Sequence, residues 1–346
     1  MIQTEFVLIN APSENQAALD RAADILRSGG LVAFPTETVY GLGGLATSDG
    51  AAKAIYTAKG RPSDNPLIIH IANPEDAEAY AVTNDTYYRL AEKFMPGPLT
   101  VILPKKDTIP YSVTGGLDTV AVRCPSHPVA RALIEKTGAP IAAPSANRSG
   151  RPSPTTAAHV AEDLTGRVNM IIDGGACEVG LESTIVAIDG NEGVLLRPGA
   201  ITADALSCVC EVRVADTVLR ALAENERPLS PGMKYRHYAP RAALVLLSGE
   251  REAVTRFMAD AAANNGVGVL CYDEEIQRMP CGATLFPIGA ENDLETQARR
   301  LFAALREADT NDSLHTLYAH LPPKNGMGLA LYNRCIRAAA HIVKEI

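Results

Sequence analysis

The stretch 34–71 constrains this chain more than any other. It reads F-P-T-E-T-V-Y-G-L-G, then a short helical pattern, then K-G-R-P-S-D-N-P-L-I-I-H-I. An apolar run at 31–34 has β character and breaks at Pro35 into the side chains of Thr36, Glu37 and Thr38. Gly41, Gly43 and Gly44 follow, where the backbone can take positive φ and approach a ligand. Ser48 or Asp49 can cap a helix over 51–58. Lys59-Gly60-Arg61-Pro62 stops that helix, with glycine as terminator. A second apolar run at 67–71 carries His70. Hydroxyls, one carboxylate, two cations and an imidazole thus come from the ends of neighbouring elements. A polyanion site on a small α/β sheet is assembled in this way.

Residue by residue, each feature has two readings. Lys59 and Arg61 are either solvated cations at a helix C-terminus or a pair suited to a triphosphate, lysine as point charge and arginine as fork. Asn65 and His70 can face the same cavity. His70 is otherwise a buried ring satisfied by a carbonyl. Arg123 ends T-V-A-V-R and needs an anion, either Glu37 or Glu182 or a substrate carboxylate. Ser145, Asn147 and Ser149, with Gly150 and Pro152, are turn formers or phosphate and ribose contacts. Ser183 and Thr184 open a strand, and Arg197 before Pro198-Gly199 reads by itself as a surface charge. There is no G-x-x-x-x-G-K-[ST], which excludes a P-loop. Residues 41–46 match G-x-G-x-x-A literally, but 35–40 is not a strand running into a helix.

Together with P-G-P-L-T at 96–100, A-V-R-C-P at 121–125, A-P-S-A-N-R-S-G at 143–150, E-S-T-I-V at 182–186 and L-R-P-G at 196–199, these residues resemble the signature of the YrdC-like family. The resemblance covers roughly the first two thirds of the chain. S-P-G-M-K-Y-R-H-Y-A-P at 230–240 and the α/β tail resemble the two-domain form. The resemblance implies an α/β (α+β) fold: a twisted mixed sheet with a central cavity, plus a small C-terminal Rossmann-like domain. It implies synthesis of L-threonylcarbamoyladenylate from L-threonine, bicarbonate and ATP, for modification of tRNA. It implies that Lys59, Arg61, Asn65, Thr119, Ser145, Ser153 and Arg197 contact ATP, joined by Tyr238, with Lys59 and Arg61 catalytic. Thr38, His70, Arg123, Ala143 and Ser183 would line the threonine pocket. Mg²⁺ would accompany ATP, and a downstream threonylcarbamoyl transferase would take the product to tRNA. Two alternatives stand beside it: an RNA-binding or ribosome-associated module, and carbamoyl-adenylate chemistry as in hydrogenase maturation. Hydrogenase maturation proteins carry acylphosphatase and zinc-finger parts, which this chain lacks.

Length and composition set the frame. The 346 residues allow two domains; the composition shifts near 215 and regular strand–helix alternation begins at 243. We expect a catalytic domain at 1–213, a linker or lid at 214–241 and a C-terminal domain at 242–346. Within the linker, 227–240 offers Lys234, Arg236, His237 and Tyr238 to an anionic ligand and is expected to close over it. A net charge of −8 argues against direct RNA binding and confines any anion site to a local pocket. No apolar run approaches the ~20 residues of a membrane span, and residues 1–12 lack signal-peptide character. Seven cysteines without C-x-x-C fit a reducing cytoplasm, and Cys208 and Cys210 are too close for the usual zinc pair. Further expectations are a capping box at 13–16, a helix capped by Ser126, and a last helix over 329–343.

Overall fold

The structure, a computed structural model, describes residues 2–220 and 238–346. The chain divides into two compact units, Met1–Ser149 with Ser153–Lys234, and Gly150–Pro152 with Tyr235–Ile346. The first unit begins with β1 (Glu5–Leu8), α1 (Gln16–Arg27), β2 (Val32–Phe34), β3 (Gly41–Leu45), α2 (Asp49–Lys59) and β4 (Ile68–His70). Next come α3 (Asp85–Phe94), β5 (Leu99–Pro104), α4 (Tyr111–Thr114), β6 (Thr119–Arg123), α5 (Pro128–Thr137) and β7 (Ile141–Ala143). It ends with α6 (Ala157–Leu164), β8 (Met170–Asp173), β9 (Thr184–Asp189), β10 (Glu192–Arg197), α7 (Ala203–Ser207) and β11 (Glu211–Val214). These strands form one mixed sheet, ordered β1-β8-β2-β3-β7-β4-β6-β5-β9-β10-β11.

Both faces of the sheet centre are covered. Val32, Phe34, Ile141 and Met170 join Leu19 and Leu26 of α1 and Leu133 of α5 in one core. The alternate residues Ala33, Leu42, Ile69 and Ala142 join Ile55 of α2 and Leu90 of α3 in the other. Burial on both sides is why β2, β4 and β7 read as short apolar runs rather than as alternating patterns. Each fully buried leucine or isoleucine contributes about 1.5–3 kcal/mol.

In the second unit, β12 (Ala243–Ser248), α8 (Arg251–Ala262), β13 (Val267–Cys271), β14 (Thr284–Pro287), α9 (Leu294–Ala308), β15 (Thr316–His320), α10 (Gly326–Ala338) and β16 (Val343–Glu345) alternate. Their sheet is parallel throughout, in the order β14-β13-β15-β12-β16. It is a small parallel α/β domain in which β15 lies between β12 and β13, whereas a Rossmann half-sheet pairs its first two strands directly.

Several local expectations are corrected. Pro12 draws 12–14 into a 3-10 turn, so Asn15, not Ser13, caps α1 through Ala18 N. The Ser126 amide donates to Glu37 Oε2, and Pro128 sets the first turn of α5, so His127 is its cap. The last helix ends at Ala338, because Ala340 and His341 take φ of 48° and 64°, and 343–345 is a strand instead. Residues 221–237, which hold Lys234, Arg236, His237 and most of the expected lid, lie outside the described residues.

The glycines of β3 also differ from expectation. Gly41, Gly43 and Gly44 are not among the glycines with positive φ; they are strand residues. Their role is steric. A Cβ on Gly43 would lie 2.7 Å from Ile141 Cγ2 and 2.9 Å from Phe34 Cε1, both inside a closed core. We expect Gly43→Ala to lower unfolding free energy by about 1–3 kcal/mol through overpacking. Gly50→Ala, at an open position in α2, should be neutral or stabilising. Urea denaturation of both variants checks this, and equal stability of Gly43→Ala and wild type would refute the steric account.

Candidate functional site

Strand register assembles the site. β4 pairs β6 with His70 opposite Arg123, β6 pairs β5 with Arg123 opposite Thr100, and β4 pairs β7 with His70 opposite Ile141. Cross-strand partners share a face, so Thr100, Arg123 and His70 form one polar row. The neighbouring row on that face is Ile102, Ala121, Ile68 and Ala143. An apolar floor thus abuts a charged and hydroxylated strip, all of it buried.

Arg123 and Glu37 are each about 5% exposed and meet at 2.7 Å. Glu37 reaches Arg123 because Pro35 ends β2 and Thr36 turns the chain, accepting from Thr38 N and Val39 N and donating to Val39 O. Thr38 Oγ1 lies 2.9 Å from Thr36 Oγ1. The second Glu37 oxygen accepts from Ser126 N. Of the two protein carboxylates weighed for Arg123, Glu37 is therefore the one present. The buried Arg123 Nε has no hydrogen-bond acceptor, so one donor of the fork stays available to a second anion.

His70 Nδ1 lies 3.2 Å from Ile68 O, and its ring meets Phe34 edge to face at 6.1 Å. Burial, reinforced by the Arg123 charge, lowers its pKa to about 3, so the imidazole is neutral. A neutral ring is a donor or acceptor for a ligand rather than a cation.

Arg197 is buried, not a surface charge: Nε donates to Ser183 O at 2.9 Å and Nη2 to Ser183 Oγ at 3.0 Å. Ser183 Oγ in turn lies 2.7 Å from Thr100 Oγ1. Ser153, also buried, donates to Glu182. Thr119 opens β6 at the half-buried end of the same face.

Around α2 a second set gathers. Gly60 takes the left-handed conformation (φ 62°) that ends the helix and releases Lys59 and Arg61 in different directions. Lys59 is 3% exposed, and its Nζ donates to the carbonyls of Ser145 and Asn147, both at 2.5 Å, and to Asn147 Oδ1 at 3.3 Å. Ser145 Oγ donates to the same Asn147 Oδ1. Arg61 Nη2 donates to Asn65 O and Pro66 O, both at 3.0 Å, which folds 61–66 back on itself. That places Asn65 fully buried with neither Oδ1 nor Nδ2 hydrogen-bonded. Leaving a buried amide unmade costs about 1–3 kcal/mol per group, and such groups in a cleft point to an absent partner.

Tyr238 belongs to the second unit, with φ 64° and a ring tilted against Phe302 at 5.1 Å. The seven cysteines are all free. Burial pushes the Cys177 and Cys124 thiols up to about 12, which keeps them protonated and unsuited to nucleophilic work. The sequence reading missed Thr100 as a site member, although P-G-P-L-T contains it. Glu182 entered only as a structural partner.

Residues 24–199 match the family model Sua5–YciO–YrdC, described as "Telomere recombination", and 201–340 match the threonylcarbamoyl-AMP synthase C-terminal domain. The threonylcarbamoyl-AMP synthase of Bacillus subtilis (strain 168) is 45% identical over 330 residues, 94% of each chain. That of Pyrococcus abyssi (strain GE5 / Orsay) is 44% identical over 335 residues, 94% of this chain and 95% of its own. The crystal structure of P. abyssi Sua5 complexed with L-threonine superposes with a TM-score of 0.89 at 42% identity, covering 99% of each chain.

The His70 environment sets a pH dependence. The folded pKa of about 3 lies below the ordinary 6.5, so the unfolded chain binds the proton first as pH falls. Stability from this group is present above about pH 6.5 and is lost toward pH 3, at up to about 1.4 kcal/mol per pH unit. We expect His70→Gln to lose less stability than wild type between pH 7 and pH 4.5 in denaturant titrations. Parallel pH profiles would contradict the neutral, buried assignment.

Proposed function

The chain belongs to the Sua5–YciO–YrdC family, and from that membership we propose how its first unit handles its substrates. The enzyme makes L-threonylcarbamoyladenylate from L-threonine, bicarbonate and ATP, releasing pyrophosphate, as an intermediate in threonylcarbamoyl-adenosine modification of tRNA. The observation that carries the site assignment is the Asn65 amide, buried and without a partner beside Arg61.

The chemistry needs no protein nucleophile. The neutral threonine amine displaces water from bicarbonate to form a carbamate; a carbamate oxygen attacks the α-phosphorus of ATP, and the bond to pyrophosphate breaks. Catalysis then rests on positioning and charge neutralisation. The threonine carboxylate docks on Arg123, where Nε offers an unused donor while Glu37 holds Nη2. Thr38, neutral His70 and Ser183 supply polar contacts, and Ala143 lies on the apolar row beside Ile68 where the methyl group fits. ATP takes Asn65, Ser145, Ser153, Thr119 and Arg197, with Lys59 and Arg61 facing the leaving pyrophosphate.

Lys59 has a structural share in this: its ammonium is held by carbonyls of the 145–147 loop, so it also fixes Ser145. Mg²⁺ would accompany the triphosphate and offset part of its charge beside Lys59 and Arg61. Among the described residues no three His, Cys, Asp or Glu side chains converge on a metal position. We also propose a cytoplasmic setting and hand-over to a threonylcarbamoyl transferase acting on tRNA. No helix among the described residues is long and apolar enough to cross a membrane.

Pyrophosphate release should require threonine and bicarbonate together, and release with ATP alone would contradict the reaction. Lys59→Ala and Arg61→Ala should each slow it about 10²-fold or more, as for loss of one transition-state donor. Wild-type rates in a folded variant would remove that residue from the site. Threonine should be preferred to serine by roughly 10–200-fold, the worth of one methyl group in an apolar pocket. Ala143→Leu should abolish threonine binding in calorimetry, and unchanged affinity would show that Ala143 faces elsewhere.

A further inference from the structure

The second unit holds a crevice of about 440 Å³, within the range of small-molecule sites. It is lined by the carboxyl ends of β12, β13 and β15, including Ser248, Tyr272 and His320, together with Arg251 at the start of α8 and Glu291 and Asn292 before α9. From β12 the chain passes through α8 to β13, toward one edge of the sheet; from β15 it passes through α10 to β16, toward the other. Right-handed crossovers in opposite directions put α8 and α10 on opposite faces. The carboxyl ends of β12 and β15 are therefore a topological switch point, where open parallel sheets take ligands.

The polar groups there are held in place from behind. Glu275 is 1% exposed and accepts from His320 Nε2 at 2.8 Å, from Thr255 Oγ1 at 2.7 Å and from Tyr272 N at 2.9 Å. His320 stacks on Tyr272 at 4.8 Å and 16°. The Arg251 guanidinium lies over the Tyr272 ring at 5.3 Å and is ion-paired to Glu291 at the mouth. Arg251 Nε is buried and has no hydrogen-bond acceptor, with a Glu275 oxygen 3.7 Å away. The amide donors of the first turn of α8 do not serve an external anion, because Glu250 accepts from Glu252 N and Ala253 N. Anion recognition falls to the guanidinium.

We propose that this crevice is a second ligand site, independent of the one in the first unit, and that it takes a nucleoside monophosphate. One cation among the lining residues, set against Glu291, matches a single phosphate monoester and disfavours a triphosphate. The phosphate replaces Glu291 on Arg251 and engages Nε, while the aromatic and apolar wall and the Ser248 and Asn292 side chains receive the nucleoside.

Equilibrium dialysis of the full chain with labelled AMP tests this, with adenosine and inorganic phosphate as competitors. Arg251→Gln should weaken one class of AMP binding at least about tenfold, as for loss of a charged hydrogen bond. Asn292→Trp, at an exposed position on the mouth, should do the same by occlusion. Both should retain threonine-dependent pyrophosphate release, and that AMP class should persist in Arg61→Ala. AMP binding unchanged in Arg251→Gln and Asn292→Trp would overturn the proposal, as would its complete loss in Arg61→Ala. Adenosine competing as well as AMP would also overturn it, since the phosphate would then contribute nothing.

Discussion

The buried ion pair between Arg123 and Glu37 is the contact on which the first unit depends. Both side chains are about 5% exposed, so neither charge has water to fall back on. Removing one partner of such a pair costs about 3–5 kcal/mol, because the other is left buried and unpaired. The pair also does geometric work. It ties the end of β6 to the turn after β2, and through Ser126 N it sets where α5 can begin. A chain that needed only stability would be served as well by apolar residues of similar volume. An ionic pair at this point keeps a guanidinium inside the unit with its Nε still without an acceptor.

Lys59 repeats that logic at the other end of the site. A cation at the last position of α2 normally faces water and the helix dipole. Here the αL turn at Gly60 and the bend that follows keep it inside, where carbonyl oxygens of the 145–147 loop surround it. The same bend, closed by Arg61, buries Asn65 with its amide unmatched. Most buried polar groups of the unit have partners: Thr100 with Ser183, Ser183 with Arg197, Ser153 with Glu182. Against that background the Asn65 amide and Arg123 Nε stand out as buried polar atoms without a hydrogen bond.

The second unit uses a different device. Its sheet is parallel and its strand order brings β12 and β15 together, so a crevice opens at their carboxyl ends, with Glu291 and Asn292 of the loop before α9 at its mouth. Glu275, buried beneath, orients His320 and Tyr272 through hydrogen bonds. A buried carboxylate spent on orientation is costly unless its acceptors are filled; His320, Thr255 and Tyr272 fill them.

Much was legible from sequence because it is local. The apolar runs at 31–34 and 67–71 mark β2 and β4, the pattern over 51–58 marks α2, and the Ser48 cap and Gly60 terminator act through neighbours in the chain. The motifs carrying Lys59, Arg61, Asn65, His70, Arg123, Ser145, Ser183 and Arg197 were likewise legible, as residue types at strand and helix ends. Tertiary structure decided what those residues face. Register put Thr100, Arg123 and His70 in one row and chose Glu37 over Glu182 for Arg123. It also turned Arg197 inward, and it made the β3 glycines a requirement of Phe34 and Ile141 rather than of positive φ. Those outcomes depend on which distant strands pair and how closely they pack. A short-range pattern carries no record of either, because the energies that select them arise only when segments far apart in sequence share a dry interior.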